Sequence, residues 1–329
     1  MKGIDLVVST RPDIIKISPL ILEMEKRKLP FKILYTGQHK DFNMFGTFSR
    51  QFGVEDILNQ KRISEPYYPL VGVYGDTDSC FQQAYNYKRA RREVLHIEAG
   101  LRCYDQFMFE EINRVLTDRI SNYFFCPTVE SVHNLVRDNL NGKAFLTGNL
   151  INDALNFILP SIPPDKRKDE ANILITIHRR ENILDDDFPI LLDQIHEIQK
   201  KYSTIFPIHP HTKKVFPKGY EFIKTCDPLD YVYFIRQLAG SKLVITDSGG
   251  VLEECCLLKT KCVVVRTCTE RPEAMSRNGT LCINYRHLCD KVKSIMKTTL
   301  PEYSNPYKSP FDGKTVAETM CDILDMNIC

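Results

Sequence analysis

Three acidic side chains stand where proton transfer could use them: Asp76, Glu98 and Glu110. Asp76 lies in Tyr74-Gly75-Asp76-Thr77-Asp78-Ser79, directly after an apolar run. Glu98 follows the next run, in His96-Ile97-Glu98-Ala99-Gly100-Leu101-Arg102. With Ile97 before it and a glycine two residues on, its carboxylate is expected to be partly desolvated and raised in pKa, as an acid/base group near neutral pH requires. Glu110 opens Glu110-Glu111, with Asn113 and Arg114 on the same expected helix. Plainer roles exist for two of these. Asp76 also suits a helix N-cap, and Glu110 with Arg114 at i,i+4 also suits an ion pair worth a few tenths of a kcal/mol.

Cationic and small residues form a second set. Arg11 and Lys16 follow the first apolar run in Thr10-Arg11-Pro12 to Lys16, where they could clamp phosphate or a substrate carbonyl near a helix start or simply sit at the surface. His178, Arg179 and Arg180 follow a later run, a grouping that suits a diphosphate better than a lone core histidine. His209 lies in Ile208-His209-Pro210 as a weaker candidate. In Asp247-Ser248-Gly249-Gly250-Val251-Leu252-Glu253-Glu254 the small residues let backbone N–H groups approach a phosphate at a helix start, although a simple turn has the same composition. Arg271 adds a further cation in Thr269-Glu270-Arg271-Pro272-Glu273. Neither G-x-G-x-x-G nor G-x-x-x-x-G-K-[ST] occurs, which argues against a bound dinucleotide and against an NTPase.

These groups need rigid elements behind them. Strand-like runs at 4–8, 31–35, 70–74, 94–97 and 123–126 alternate with helix-like segments, and a second series follows at 173–177, 204–208, 243–246 and 261–265. Such alternation implies mainly parallel sheets flanked by helices, and every candidate falls at the end of a strand run, where ligands of open α/β sheets bind. The stretch from Pro160 through Pro163, Pro164 and Asp165 to Asp169 is proline-rich and charged and reads as a linker. The expected division is therefore an N-terminal α/β domain over 1–159, a second α/β domain over 160–310, and a helix in 311–329 that returns to the first.

Composition narrows the partners. A net charge of +2 offers no general attraction for nucleic acid or membrane, and the run Lys88, Arg89, Arg91, Arg92 reads as a solvated helix face. No stretch has the length of a membrane span, and none near Met1 reads as a secretory leader. The 12 cysteines are scattered without a C-x-x-C pair, so they are expected to be reduced core residues in a cytoplasmic protein. His209 and His211 have no cysteine pair at ligand spacing, so no metal site is expected.

Taken together the segments resemble the non-hydrolysing UDP-N-acetylglucosamine 2-epimerases. The resemblance rests on Thr10-Arg11-Pro12 to Lys16, Thr36-Gly37-Gln38-His39, Gly75-Asp76-Thr77, His96 to Arg102, Glu110 to Arg114, Thr147-Gly148-Asn149, His178 to Glu181, Asp227-Pro228 to Tyr231, Asp247 to Glu254, Thr269 to Glu273 and Asn305-Pro306-Tyr307, in family order. It implies two Rossmann-like domains facing a cleft, the glycosyltransferase-B-like fold, in a homodimer. It also implies C2 epimerisation of a UDP-N-acetylated amino sugar without a redox cofactor. UDP is expelled as the C2 proton leaves, giving 2-acetamidoglucal, and adds back as a proton reaches the other face. By similarity Asp76, Glu98 and Glu110 are acid/base groups, and His178 steadies the departing diphosphate. Ser248, Gly249 and Gly250 meet phosphate, Glu254 holds ribose, Phe234 backs uracil, and Arg11, Lys16, Arg102, Arg114, His209 and Arg271 bind substrate. A glycosyltransferase of the same fold, or a silent UDP-sugar-binding protein, would share the nucleotide site.

Departures from the family pattern are Ser9, Phe109, Ile177 and Leu252. Phe109 and Ile177 are expected to add bulk near the sugar pocket, which would suit a 6-deoxy sugar. The stretch from Gln38 to Gly75 is shorter than in bacterial relatives by roughly one helix, so Gln38 and His39 look like a remnant of an activating UDP-sugar site, and weak or no activation by a second substrate molecule is expected.

Overall fold

The computed structural model describes residues 3–9, 11–36, 49–162 and 173–327, without the side chains of Arg11, Pro12, His211 and Asn327. Gln38 and His39 lie outside the described residues. The chain divides into two compact units, Met1–Ile158 with Pro306–Cys329, and Leu159–Asn305.

The first unit holds seven parallel strands: β1 (Ile4–Val8), β2 (Phe31–Tyr35), β3 (Arg62–Ile63), β4 (Leu70–Tyr74), β5 (Glu93–Ile97), β6 (Tyr123–Cys126) and β7 (Lys143–Leu146). Their order in the sheet is β3-β2-β1-β4-β5-β6-β7. β1 and β4 are wholly buried, as central parallel strands covered on both faces must be. The order reverses between β1 and β4, so their carboxyl ends flank a topological switch point, the place where such sheets hold ligands. Val7, Val71, Val73, Ala84, Tyr87 and Val94 pack as one core cluster beneath it.

The final segment joins this unit earlier than the expected residue 311. Asn149 donates its backbone N–H to the Tyr307 carbonyl at 2.9 Å, and the Tyr307 ring is fully buried. The helix Val316–Asn327 then packs on the helix Arg11–Lys26, and Arg27 donates to Asp322 at its outer edge.

The second unit holds five parallel strands: β8 (Ile173–Thr176), β9 (Thr204–Ile205), β10 (Leu243–Thr246), β11 (Cys262–Val264) and β12 (Gly279–Leu281). Their order is β12-β11-β10-β8-β9, with the switch point between β8 and β10. Ile177 is 1% exposed and belongs to this unit's core with Ile175, Leu191, Ile245 and Val265. It therefore does not add bulk to a sugar pocket as expected, because the strand carries it inward before the chain turns at His178. Leu252 is likewise core. The short edge strands β3, β7 and β12 escape the sequence pattern, since Arg62, Lys143 and Gly279 interrupt any apolar run.

Candidate active site

Glu98 follows the last residue of β5, and its backbone is left-handed at φ 68°. That conformation costs a non-glycine residue about 1–2 kcal/mol. Its side chain is nearly buried, and three donors reach the same oxygen. Lys16 Nζ and the Tyr74 hydroxyl each lie 2.7 Å from Oε1, and Asn149 Nδ2 lies 2.9 Å from it. The three come from the helix after β1, the end of β4 and the loop after β7. Lys16, expected to bind substrate, is thus paired with the central carboxylate.

The loop after Glu98 is fastened from below. Gly100, at φ 80°, passes so close to the helix Val129–Arg137 that a Cβ there would sit 2.2 Å from the Ser131 carbonyl oxygen. Buried Asp118 accepts from the Gly100 N–H at 3.2 Å and from Arg102 at 2.7 Å, and it contacts His96 Nδ1 at 2.6 Å. Burial pushes the Asp118 carboxyl up, but His96 and Arg102 outweigh it and hold it below the ordinary carboxylate value. Arg102 also donates to Asp138 at 2.9 and 2.8 Å and to the Leu101 carbonyl. Its side chain is only 1% exposed, so the expected substrate contact is replaced by a strut that shapes the Glu98 loop.

Asp76 is held by the helix Phe109–Ile120, which also carries Glu110. Asn113 donates to the Asp76 carbonyl at 3.1 Å and to Asp78 at 2.7 Å. Arg114 reaches both Asp76 and Glu111, and it is buried. Glu111 in turn accepts from the backbone N–H groups of Cys103 and Tyr104. Arg114 therefore aims Asp76 rather than offering itself to a ligand, since its guanidinium is spent on carboxylates of its own unit. Glu110 stays half-buried in the first turn of this helix, and Phe109 beside it is 71% exposed.

In the second unit a buried carboxylate organises backbone. Asp247, after β10, accepts from the N–H groups of His178 and Arg179 at 3.0 and 2.9 Å and from Asn182 Nδ2 at 3.0 Å. The turn after β8 is thereby pinned across the switch point. The His178 ring stays partly exposed, with Nδ1 3.5 Å from Asp247 and its centroid 5.3 Å from that of His209. Ser248 caps the helix Gly249–Leu258, accepting from the Val251 N–H at 3.4 Å. A Cβ at Gly249 would sit 2.2 Å from Glu270 Oε1. Glu270 is held by Arg266 at 2.9 Å, and Arg271 pairs with buried Glu253. Glu254 accepts from the Tyr231 hydroxyl at 2.9 Å, a phenol that burial and this carboxylate keep well above its usual pKa. Phe234 lies half-buried on the same helix as Tyr231, capped by Asp230.

Sequence reasoning did not single out Tyr74, Asp247, Asn182 or Tyr231. Tyr74, Asp247 and Tyr231 lie inside stretches it quoted for other residues, and Asn182 follows the His178–Glu181 stretch directly. Among the described residues no group of three or more His, Cys, Asp and Glu side chains is arranged to hold a metal ion. Among those residues no helix is long and apolar enough to cross a membrane.

Residues 63–325 match the family model described as UDP-N-acetylglucosamine 2-epimerase. The UDP-N-acetylglucosamine 2-epimerase of Methanocaldococcus jannaschii is 32% identical, with 96% of this chain and 98% of that protein covered. That alignment spans 359 positions against a chain of 329 residues, so the relative carries segments that this chain lacks. The crystal structure of the Methanocaldococcus jannaschii enzyme in complex with UDP-GlcNAc and UDP superposes with a TM-score of 0.85, covering 98% of this chain and 99% of that one. The UDP-2,3-diacetamido-2,3-dideoxy-D-glucuronate 2-epimerase of Pseudomonas aeruginosa is 32% identical, over 82% of this chain and 85% of that protein. The two Rossmann-like units thus make up a glycosyltransferase-B-like fold.

Proposed function

The chain belongs to the UDP-N-acetylglucosamine 2-epimerase family, and from that premise we propose that it inverts C2 of a UDP-linked N-acetylated amino sugar by eliminating and re-adding UDP. It is an isomerase of the epimerase class. The reading is carried chiefly by Glu98, a buried carboxylate in strained backbone that three donors hold at the switch point of the first sheet.

In the first step a carboxylate takes the C2 proton. The C–H electron pair becomes the C1=C2 bond, and the C1–O pair departs with UDP. In the second step the UDP oxygen attacks C1 as a proton is delivered to the opposite face of C2. Atoms and electrons balance without an oxidant. Glu98 suits the ionised base, because an ammonium and two neutral donors favour its charged form and oppose the upward shift that desolvation alone was expected to give. Asp76, aimed by Arg114, and Glu110, in the first turn of the helix Phe109–Ile120, are the candidates for the second carboxylate on the sugar side. In the second unit His178 steadies the diphosphate, and Ser248, Gly249 and Gly250 meet it at the start of a helix. Glu254 and Phe234 serve ribose and uracil, and Arg271, His209 and Arg11 the substrate. Gathering several carboxylates in the first unit favours epimerisation over glycosyl transfer, which needs one base.

The assembly is proposed to be a homodimer. The helix Phe109–Ile120 exposes Phe109, Ile112 and Leu116 in one stripe, beside exposed Tyr85 of the helix Asp78–Arg89. Exposed Asp78 lies at the start of this helix pair, and exposed Lys88, Arg89 and Arg119 lie at its end. A two-fold axis would lay apolar stripe on apolar stripe and acidic end on basic end. A cytoplasmic location is supported by the eleven described cysteines, all free thiols.

The test is to incubate the protein with UDP-N-acetylglucosamine in D2O and follow the sugar by NMR, with 6-deoxy and 2,3-diacetamido uronate analogues in parallel. Deuterium at C2 and a manno-configured product are expected on one of these sugars. Binding with no exchange on any of them would leave a silent UDP-sugar-binding protein.

A further inference from the structure

We propose that Tyr74 is a positioning residue for Glu98, fixing its Oε1 and setting the pH range over which Glu98 is ionised. The proposal rests on the reading of Glu98 as an acid/base group of this site. Tyr74 closes β4 and is paired in register with Ile97, the residue before Glu98. Its ring is 3% exposed, and its hydroxyl points along the sheet edge to Oε1 at 2.7 Å. Lys16 Nζ meets the same oxygen at 2.7 Å and lies 5.7 Å from the centroid of the Tyr74 ring, so phenol, ammonium and carboxylate form one compact group. Left-handed backbone at Glu98 restricts how the carboxylate can re-aim if one donor is lost.

Among the described residues, the titratable groups on the elements around Glu98 have partners of their own. On the Lys16 helix, Asp13 accepts from the Ser9 N–H at 3.0 Å. On β5, His96 bonds Asp118 and the Gly75 carbonyl. Beneath Tyr74, Cys80 donates to the Tyr74 carbonyl at 2.7 Å. Asp76 beyond Gly75 is tied to Arg114, and Asp153 on the helix Leu150–Ile158 accepts from the Ala317 N–H. Tyr74 and Asn149 are the two neutral donors to Glu98, and removing the Tyr74 hydroxyl changes its surroundings while leaving the charges in place.

The sign is independent of which proton step Glu98 performs. A donor to a carboxylate favours its ionised form, so removing it moves the titration of Glu98 upward. If Glu98 works as a base, the acid limb of the rate profile moves to higher pH. If it works as an acid, the alkaline limb moves to higher pH. A side chain that only packs would lower the rate at every pH and move neither limb.

The experiment compares the full-length protein with Tyr74→Phe and with 3-fluorotyrosine placed at position 74, which keeps shape and hydroxyl but is a stronger donor. In protein carrying 13C-carboxyl glutamate, the Glu98 resonance is identified by its loss in Glu98→Gln and titrated. The midpoint is expected to rise by about one pH unit in Tyr74→Phe and to fall with 3-fluorotyrosine. The kcat limb should move with it, and KM for the UDP-sugar should stay within about twofold. Should Tyr74→Phe not fold, the 3-fluorotyrosine protein decides alone. A midpoint that stays put in every folded variant overturns the proposal. If the wild type exchanges no C2 proton, the functional reading fails, and the NMR midpoint still decides the role of Tyr74.

Discussion

The two switch points are built from the same strand geometry but from opposite materials. At the first, between β1 and β4, side chains are held by side chains: Glu98 by Lys16, Tyr74 and Asn149, and Asp76 by Arg114. At the second, between β8 and β10, one buried carboxylate holds backbone: Asp247 gathers the N–H groups of His178 and Arg179. On the proposed reading Glu98 carries a proton and must be aimed and tuned, so its partners are individually placed donors, one of them an ammonium. On the same reading the second site holds a diphosphate and must present amides and cations at fixed positions, which suits a rigid turn and a capped helix start.

Substitution should break the two sites in different ways. Asp247→Ala would remove the acceptor of the His178 and Arg179 N–H groups and leave the Asn182 amide only the Val265 carbonyl. It should lower the stability of the full chain in urea by about 3 kcal/mol, a sum of buried unsatisfied donors. Little loss of stability would mean that the turn is held by something other than Asp247. A smaller effect is expected at the apolar stripe of the first unit. Leu116→Glu should change stability by less than about 0.5 kcal/mol, as surface substitutions do. It should nonetheless shift sedimentation-equilibrium mass from twice the 38.1 kDa chain toward one chain. A wild-type protein that sediments as a single chain would remove the dimer.

Much of this frame was legible in the sequence because apolar runs bounded by glycine and proline mark buried parallel strands. The central strands of both sheets, and the placement of Asp76, Glu98, His178 and Ser248 at their ends, follow from that pattern. Roles that depend on direction were not legible. Arg102 and Arg114 have the composition of anion binders, yet both turn inward onto Asp118, Asp138, Glu111 and Asp76. Ile177 stands next to the chemistry in sequence but points into the core. Tyr74 looks like the end of a strand, and only the register of β4 against β5 sets its hydroxyl on Glu98. The edge strands β3, β7 and β12 stayed hidden because they are short and carry charge or glycine, whereas β9 was expected at 204–208 and extends only over Thr204–Ile205.

The central claim is that the first unit moves the proton while the second holds UDP. It is tested most directly by the rate of deuterium incorporation at C2 in Glu98→Gln at saturating UDP-sugar. The account predicts a loss of about a thousandfold, within the range for removing a general acid or base, with UDP affinity by calorimetry unchanged. Exchange within a few fold of wild type would contradict it and remove Glu98 from the chemistry.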